Sequence, residues 1–160
     1  MQRADYPVFY PILTRWMDND IYGHVNNVTY YSYFDSVINR YLIDEGGLDI
    51  HDAPVVGFMV SSSCQFKKPV AYPETLAAGL RVLRTGTRSV TYEVAIFREG
   101  ENDAAAVGEM VHVFVDRSSN RSLPIPADDD SLEMDSCASF APCSPPFPFS
   151  CPPQAAIIKT

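Results

Sequence analysis

The chain has 160 residues, which suits one folded domain with a single core. Hydrophobic residues make up 46% and charged residues 20% of it, and this is the composition of a globular protein, neither disordered nor fibrous. The formal charge of −8 argues against a general nucleic-acid binder, because phosphate contacts need clustered cations. No apolar run approaches the ~18 residues of a membrane span, and residues 1–5 lack the apolar core of a secretory signal. We therefore expect a cytoplasmic protein, with an organelle as the alternative.

The first predicted elements are a strand and a long helix. The strand covers Val8 to Trp16 and the helix covers Val28 to Ile43, where apolar residues recur at three- and four-residue steps. Asn26 and Asn27 are capping candidates at its start, and Gly46-Gly47 follows its end. A helix face this broad and aromatic needs a large apolar surface to cover it.

Four further strands are predicted after the helix: Val55–Phe66, Thr75–Arg84, Ser89–Arg98 and Ala105–Asp116. Short links suited to hairpins join the last three. One long helix followed by an antiparallel meander predicts an α+β domain in which about five strands wrap around the helix. Such a sheet leaves one edge and one face uncovered, so we expect a homo-oligomer.

Residues 128–160 differ in composition from the rest of the chain. Six of the 13 prolines lie between Pro142 and Pro153, and three of the four cysteines share this tail. Prolines at this density break both helices and strands, so we predict a folded domain over residues 6–127 and a disordered tail after it. The cysteine spacing lacks the short C-x₂₋₄-C pair of a zinc site, and no metal is expected.

The segment before the helix carries the polar groups best suited to chemistry. They lie within about ten residues of the helix start: Asp18, Asp20, Gly23, His24, Asn26 and Asn27. A helix N-terminus presents unpaired N–H groups and partial positive charge, which stabilise the oxyanion of a thioester carbonyl under attack. A nearby carboxylate can attack that carbonyl or take a proton from water.

Other uses of this segment have to be weighed. Its first residues resemble a calcium loop, but the twelfth position holds Thr29 in place of glutamate, which disfavours calcium. His24 has no serine or cysteine in a recognisable nucleophile elbow. Asp and Asn also commonly cap and turn the chain, and spacing alone does not choose between that role and catalysis.

The pattern W-x-D-x-D-x-x-G-H-V-N-N-x-x-Y-x-x-Y-F-D resembles the signature of the hotdog-fold acyl-CoA thioesterases of the 4-hydroxybenzoyl-CoA thioesterase type. Later segments match in the same order: Phe66–Val70, Arg88–Tyr92, and Val113–Asp116 leading to Pro124–Pro126. The resemblance covers about residues 8–126. It implies a hotdog fold, a homodimer or homotetramer paired through the sheets, and an active site at the dimer interface.

The resemblance also implies roles for residues of the motif. Asp20 matches the catalytic carboxylate, as a nucleophile or a general base, and the backbone N–H near Asn27 matches the group that polarises the thioester carbonyl. Gly23 permits close approach of the backbone to substrate. His24 and Asn26 either orient Asp20, water or the carbonyl, or only pack and cap.

A set of cations at strand ends is the second implied site. The resemblance suggests that Lys67, Lys68 and Arg88, with Ser89 beside the arginine, contact the phosphates of coenzyme A. The alternative is a solvated sheet edge guarded by charge. His112 is expected to be a partly buried core histidine.

The implied function is hydrolysis of an acyl-CoA thioester to a free carboxylic acid and coenzyme A. No cofactor is expected beyond the coenzyme A of the substrate. The alternatives are a non-catalytic module that binds acyl-CoA or an acyl carrier, and a hotdog dehydratase. The aromatic helix face fits fatty and arylacyl chains equally well, so the acyl group stays open.

Overall fold

The structure, a computed structural model, describes residues 1–125. Its regular elements there are one long helix, five strands and two short 3₁₀ turns at Arg3–Asp5 and Trp16–Asp18. In chain order they are β1 (Val8–Leu13), α1 (Asn27–Asp44), β2 (Val55–Phe66), β3 (Thr75–Thr85), β4 (Ser89–Arg98) and β5 (Ala106–Asp116). All neighbouring strands are antiparallel, and their order is β1-β3-β4-β5-β2. The predicted α+β architecture of five strands and one helix is confirmed.

The predicted boundaries of the helix and of the later strands agree with the structure to within one residue, and only the first strand differs by more. The prediction that it continues to Trp16 was wrong, since β1 ends at Leu13. The chain then turns at Arg15, because the carboxylate of Asp18 accepts the Arg15 backbone N–H at 2.7 Å and closes a 3₁₀ turn. The predicted domain end at residue 127 and the predicted tail lie outside the described residues.

The helix α1 packs one face against the sheet, as its periodicity predicts. Phe34 and Ile38 are completely buried, whereas Asp35 and Arg40 on the other side are exposed. The Phe34 ring lies over Gly108 of β5, where a β-carbon would come within 2.5 Å of the ring. The absence of a side chain at this position therefore lets the helix sit close to the sheet.

The other face of the sheet is partly covered by the N-terminal segment. Tyr6 and Phe97 form the centre of a second apolar cluster, and the Arg3 guanidinium lies 5.1 Å from the Phe9 ring and 5.2 Å from the Phe97 ring. The buried carboxylate of Glu93 accepts the Tyr6 hydroxyl at 2.7 Å. This segment thus protects one end of the outer sheet face from water.

The strand β2 forms an exposed edge of the sheet. Four of its large apolar side chains are 43–61% exposed: Phe58, Met59, Val60 and Phe66. Unpaired strand backbone next to exposed apolar side chains is an arrangement that pairing with another strand would cover. Within residues 1–125, no helix combines the length and the apolar character that crossing a membrane requires.

Candidate active site

The loop between β1 and α1 is a small closed hairpin, called here the Asp20 loop (residues 18–26). The Asp18 carbonyl accepts the N–H of Asn26 at 2.8 Å, and the His24 carbonyl accepts the N–H of Asp20 at 2.9 Å. Gly23 stands at the tip with a φ of 81°, a left-handed conformation that glycine adopts without strain. The segment therefore holds a defined shape, and the need for this backbone conformation explains the glycine.

The carboxylate of Asp20 is held in place from one side. Its Oδ1 accepts the Tyr22 backbone N–H at 2.8 Å, so the aspartate also forms the turn of its own loop. No group among residues 1–125 donates a hydrogen bond to its Oδ2. The carboxylate is therefore oriented by one oxygen while the other is available for chemistry.

The start of α1 offers the complementary group. Asn26 caps the helix, and its side-chain oxygen accepts the backbone N–H of Val28 at 3.0 Å. The N–H of Asn27, the first helical residue, has no acceptor inside the helix because it precedes the first helical hydrogen bond. A donor with partial positive charge thus remains at the helix start.

These two groups line the same cleft, which has a volume of about 560 Å³. Its lining combines residues of the Asp20 loop and of the helix start with the segment that follows β2: Asp20, Tyr22, His24, Val25, Asn27, Tyr30, Phe66, Lys67, Lys68 and Pro69. The Val25 N–H donates to the Val70 carbonyl at 2.8 Å and joins the two walls. The predicted residues Asp20, His24 and Asn27 are therefore neighbours around one cavity.

The neighbouring carboxylate, Asp18, is a structural group. It is 1% exposed, and its Oδ2 accepts the Tyr33 hydroxyl at 2.7 Å. The Arg15 guanidinium contacts its Oδ1 at 2.9 Å. Burial opposes ionisation of Asp18, but the hydrogen bonds from Tyr33 and Arg15 outweigh burial and lower the pKa of the carboxyl. Asp18 therefore shapes the loop, since both of its carboxylate oxygens accept hydrogen bonds.

The two predicted lysines line the cleft but differ in their contacts. The Lys68 ammonium forms an ion pair with Glu101 at 2.8 Å. Lys67 is exposed and has no ion-pair partner among residues 1–125. Both backbone N–H groups donate to the Ala105 carbonyl, at 2.8 and 2.9 Å, which fixes this segment to the start of β5. Of the two cations, Lys67 is therefore the one free to meet an anion.

Arg88 and Ser89 lie away from the cleft of their own chain. Ser89 begins β4 opposite Val113, whereas the end of β2 next to the cleft aligns with the far end of β4 at Ile96. Seven residues of strand separate the two positions, or about 23 Å. The Arg88 guanidinium donates to the Ser122 hydroxyl at 3.0 Å. One chain therefore does not bring this pair to the lysines.

Three aromatic residues of the cleft were not predicted as site residues. Tyr22 is 84% exposed, Phe66 is 50% exposed, and the Tyr30 ring lies edge-on to Phe66 with centroids 5.1 Å apart. Each belongs to a segment that the motifs already cover, so position within the motif was a usable signal. His112 is 4% exposed and packs edge-on against Tyr92, which agrees with its expected place in the core.

A long helix packed against a five-stranded antiparallel sheet is the architecture of the hotdog class of domains. The chain belongs to the Thioesterase-like superfamily, whose family profile matches residues 14–133. The class of reaction that this membership indicates is thioester hydrolysis.

Solved structures support the same assignment. The PA5185 protein of Pseudomonas aeruginosa is 57% identical, with a TM-score of 0.77 over 78% of this chain and 87% of that one. PA2801 of the same organism, provisionally assigned as a thioesterase, is 30% identical, with a TM-score of 0.69 over 74% and 91% of the two chains. The DHNA-CoA thioesterase of Staphylococcus aureus, at 19% identity and a TM-score of 0.66 over 73% and 79%, shares the fold. No curated protein matches the sequence.

Proposed function

We propose that this protein hydrolyses an acyl-CoA thioester to a free carboxylic acid and coenzyme A. The observation that carries the proposal is the shared cleft of Asp20 and Asn27, in which a carboxylate with a free oxygen lies near an unpaired N–H at a helix start. In the reaction the N–H of Asn27 holds the carbonyl oxygen, which gains negative charge as the carbon becomes tetrahedral. His24 and Asn26 support this arrangement through the loop and the cap.

The role of Asp20 follows from its free Oδ2. As a general base it takes a proton from water, whose oxygen adds to the carbonyl carbon. As a nucleophile it forms a mixed anhydride that water then cleaves. By either route the carbon–sulfur bond breaks, and the leaving coenzyme A thiolate takes up a proton. Water is the only co-reactant, so the proposal needs no cofactor beyond the coenzyme A portion of the substrate.

The phosphates of coenzyme A are proposed to meet Lys67 at the cleft rim, with Lys68 behind it. Lysine suits this role as a point charge that needs no fixed geometry. The protein as a whole carries −8, so the cation of Lys67, unpaired among residues 1–125, marks the rim as the favourable place for an anionic substrate.

We further propose that two copies pair through their β2 edges and complete each other's sites. In a two-fold antiparallel pairing of β2, the cleft end of one strand, at Phe66, lies beside the beginning of the other, near Val55. Within the second copy, β5 and then the start of β4 lie next to that beginning. Arg88 and Ser89 of the second copy would then extend the cationic rim.

The proposed activity is tested by measuring thiol release from a panel of acyl-CoA substrates that differ in chain length and aromatic character. Asp20→Asn is expected to lower kcat about a hundredfold or more with a modest change in KM, because it removes a group used in the transition state. Asp52→Asn, an exposed aspartate in the link after α1, is the matched control. Near-normal turnover in Asp20→Asn would show that this carboxylate takes no part in the reaction. Acyl-CoA binding without any thiol release would instead indicate a non-catalytic module.

A further inference from the structure

Among the described residues, a side-chain hydrogen bond between Asp18 and Tyr33 joins the Asp20 loop to the body of α1. The Tyr33 hydroxyl donates to Asp18 Oδ2 at 2.7 Å, and both groups are almost completely buried. The remaining donors to this carboxylate are the backbone N–H and the guanidinium of Arg15, three residues earlier in the same turn. The Tyr33 hydroxyl is therefore the donor that joins the carboxylate to another element.

The placement of this contact relates it to the cleft. Tyr33 lies about two helical turns after the helix start, on the buried side of α1. Asp18 holds the N–H of Asn26, the helix cap, with its backbone carbonyl at 2.8 Å and holds Tyr33 with its side chain. Asp18, the first residue of the Asp20 loop, is thus hydrogen-bonded both to the cap of the helix and to a residue inside the helix. Two such attachments restrict rotation of the loop relative to the helix, which one attachment would not do.

We propose that Asp18 and Tyr33 are positioning residues that set the place of Asp20 relative to the N–H of Asn27. This inference rests on the proposed function, since it concerns the two groups that are to act on the thioester. Displacement of a reacting group by about 1 Å can lower a rate by about a hundredfold, so an attachment of this kind affects turnover without touching the substrate.

Tyr33→Phe removes only the hydroxyl and leaves the contacts between Asp18 and Arg15 in place. We expect kcat to fall about ten- to a hundredfold while KM stays within about twofold. The matched control is Tyr41→Phe on the same helix, because the Tyr41 hydroxyl makes no hydrogen bond with any described residue. Asp18→Asn can keep an oxygen facing the Tyr33 hydroxyl and the Arg15 backbone N–H, so it should retain more turnover than Asp18→Ala.

Two readouts separate positioning from a general loss of stability. In the Asp20→Asn background, Tyr33→Phe should lower the residual rate by less than about twofold, because the group it places is already gone. Equal losses in both backgrounds would overturn the inference.

The second readout does not depend on activity. Amide hydrogen exchange in residues 18–26 should become faster in Tyr33→Phe while β4 and β5 stay protected, and Tyr41→Phe should leave the loop unchanged. Unchanged exchange in the loop would refute the positioning role, even if no acyl-CoA is hydrolysed. If the unaltered protein released no thiol but loop exchange were faster in Tyr33→Phe, the proposed function would be refuted. The role of the contact between Asp18 and Tyr33 in holding the loop would still be supported.

Discussion

The ring of Phe34 on α1 lies directly over the backbone of Gly108 on β5. A β-carbon at residue 108 would lie 2.5 Å from Cε2 and 2.8 Å from Cζ of that ring. Phe34 is completely buried and cannot move aside without displacing its neighbours in the core. This contact therefore sets how closely the helix approaches the sheet, and through the helix it sets the position of the cleft.

Gly108→Ala is expected to destabilise the protein. Overpacking of this kind costs about 1–3 kcal/mol, whereas the reduced freedom of the unfolded chain returns only about 0.4–1 kcal/mol. Urea unfolding measures the difference. Gly86→Ala is the comparison, because the nearest atom there is the movable Ser89 hydroxyl oxygen at 3.1 Å. Equal stability of the two variants would show that the helix can shift to accept a methyl group.

The two lysines of the cleft are expected to differ in their effect on substrate binding. Lys67→Ala should raise KM several-fold with little change in kcat, because its ammonium is free to contact phosphate. Lys68→Ala should have a smaller effect, since its ammonium is already paired with Glu101. Steady-state kinetics at low and high salt measure both, and the difference should shrink as salt screens the charges. A larger KM effect at Lys68 would contradict the assignment.

Stability should decline below about pH 6.5 because of His112. Burial lowers the pKa of this imidazole from its ordinary value of 6.5, and attraction by Asp35 only partly offsets that effect. The unfolded chain then binds more protons at this residue than the folded protein does. The contribution of neutral His112 to the free energy of unfolding is fully present above pH 6.5. It is lost as the pH falls toward the lower pKa that His112 has in the folded state.

Urea unfolding of His112→Phe between pH 7.5 and 5 measures this contribution. The variant should show a flatter pH dependence than the unaltered protein, with His51→Gln as the exposed control. The pKa of Asp116, which hydrogen bonds from Ser118 and Ser119 lower to about 2, acts in a more acidic range. An unchanged slope in His112→Phe would assign the decline to another group.

A mixture of two impaired variants should recover activity if the second copy contributes Arg88. In a heterodimer of Asp20→Asn and Arg88→Ala, one of the two sites keeps both native residues. Random mixing then restores about a quarter of the native sites. The value of kcat/KM should exceed the mean of the two separate homodimers. A value equal to that mean would show that Arg88 does not complete the cleft of a second copy.

The sequence predicts the helix and the strands well because buried apolar residues recur at regular intervals along them. Alternation in β4 and the three- and four-residue steps in α1 each report on one continuous surface. The contact between Asp18 and Tyr33 leaves no such pattern, since it joins two residues fifteen positions apart through a single hydrogen bond. The position of Arg88 relative to the cleft is harder still to predict, because it depends on how a second copy of the chain would pair with the first.

The segment after β2 shows that contacts between distant residues also limit what the sequence predicts about the candidate site. Lys67 and Lys68 can be recognised as cations near a strand end, but the pairing of Lys68 with Glu101 depends on the link between β4 and β5. Likewise the hydrogen bond from Val25 to Val70 forms only when distant parts of the chain meet. Local patterns therefore name the polar residues, and tertiary contacts decide which of them remain available.

The pairing of β1 with β3 has a consequence for the order in which the protein can fold as it is synthesised. Val8 aligns with Leu80, so the first strand is translated about 70 residues before its partner. In that interval α1 leaves the ribosome with its aromatic face uncovered. Early in translation the chain is therefore exposed to contacts with other nascent chains, and chaperones that bind apolar segments should engage it before β3 emerges.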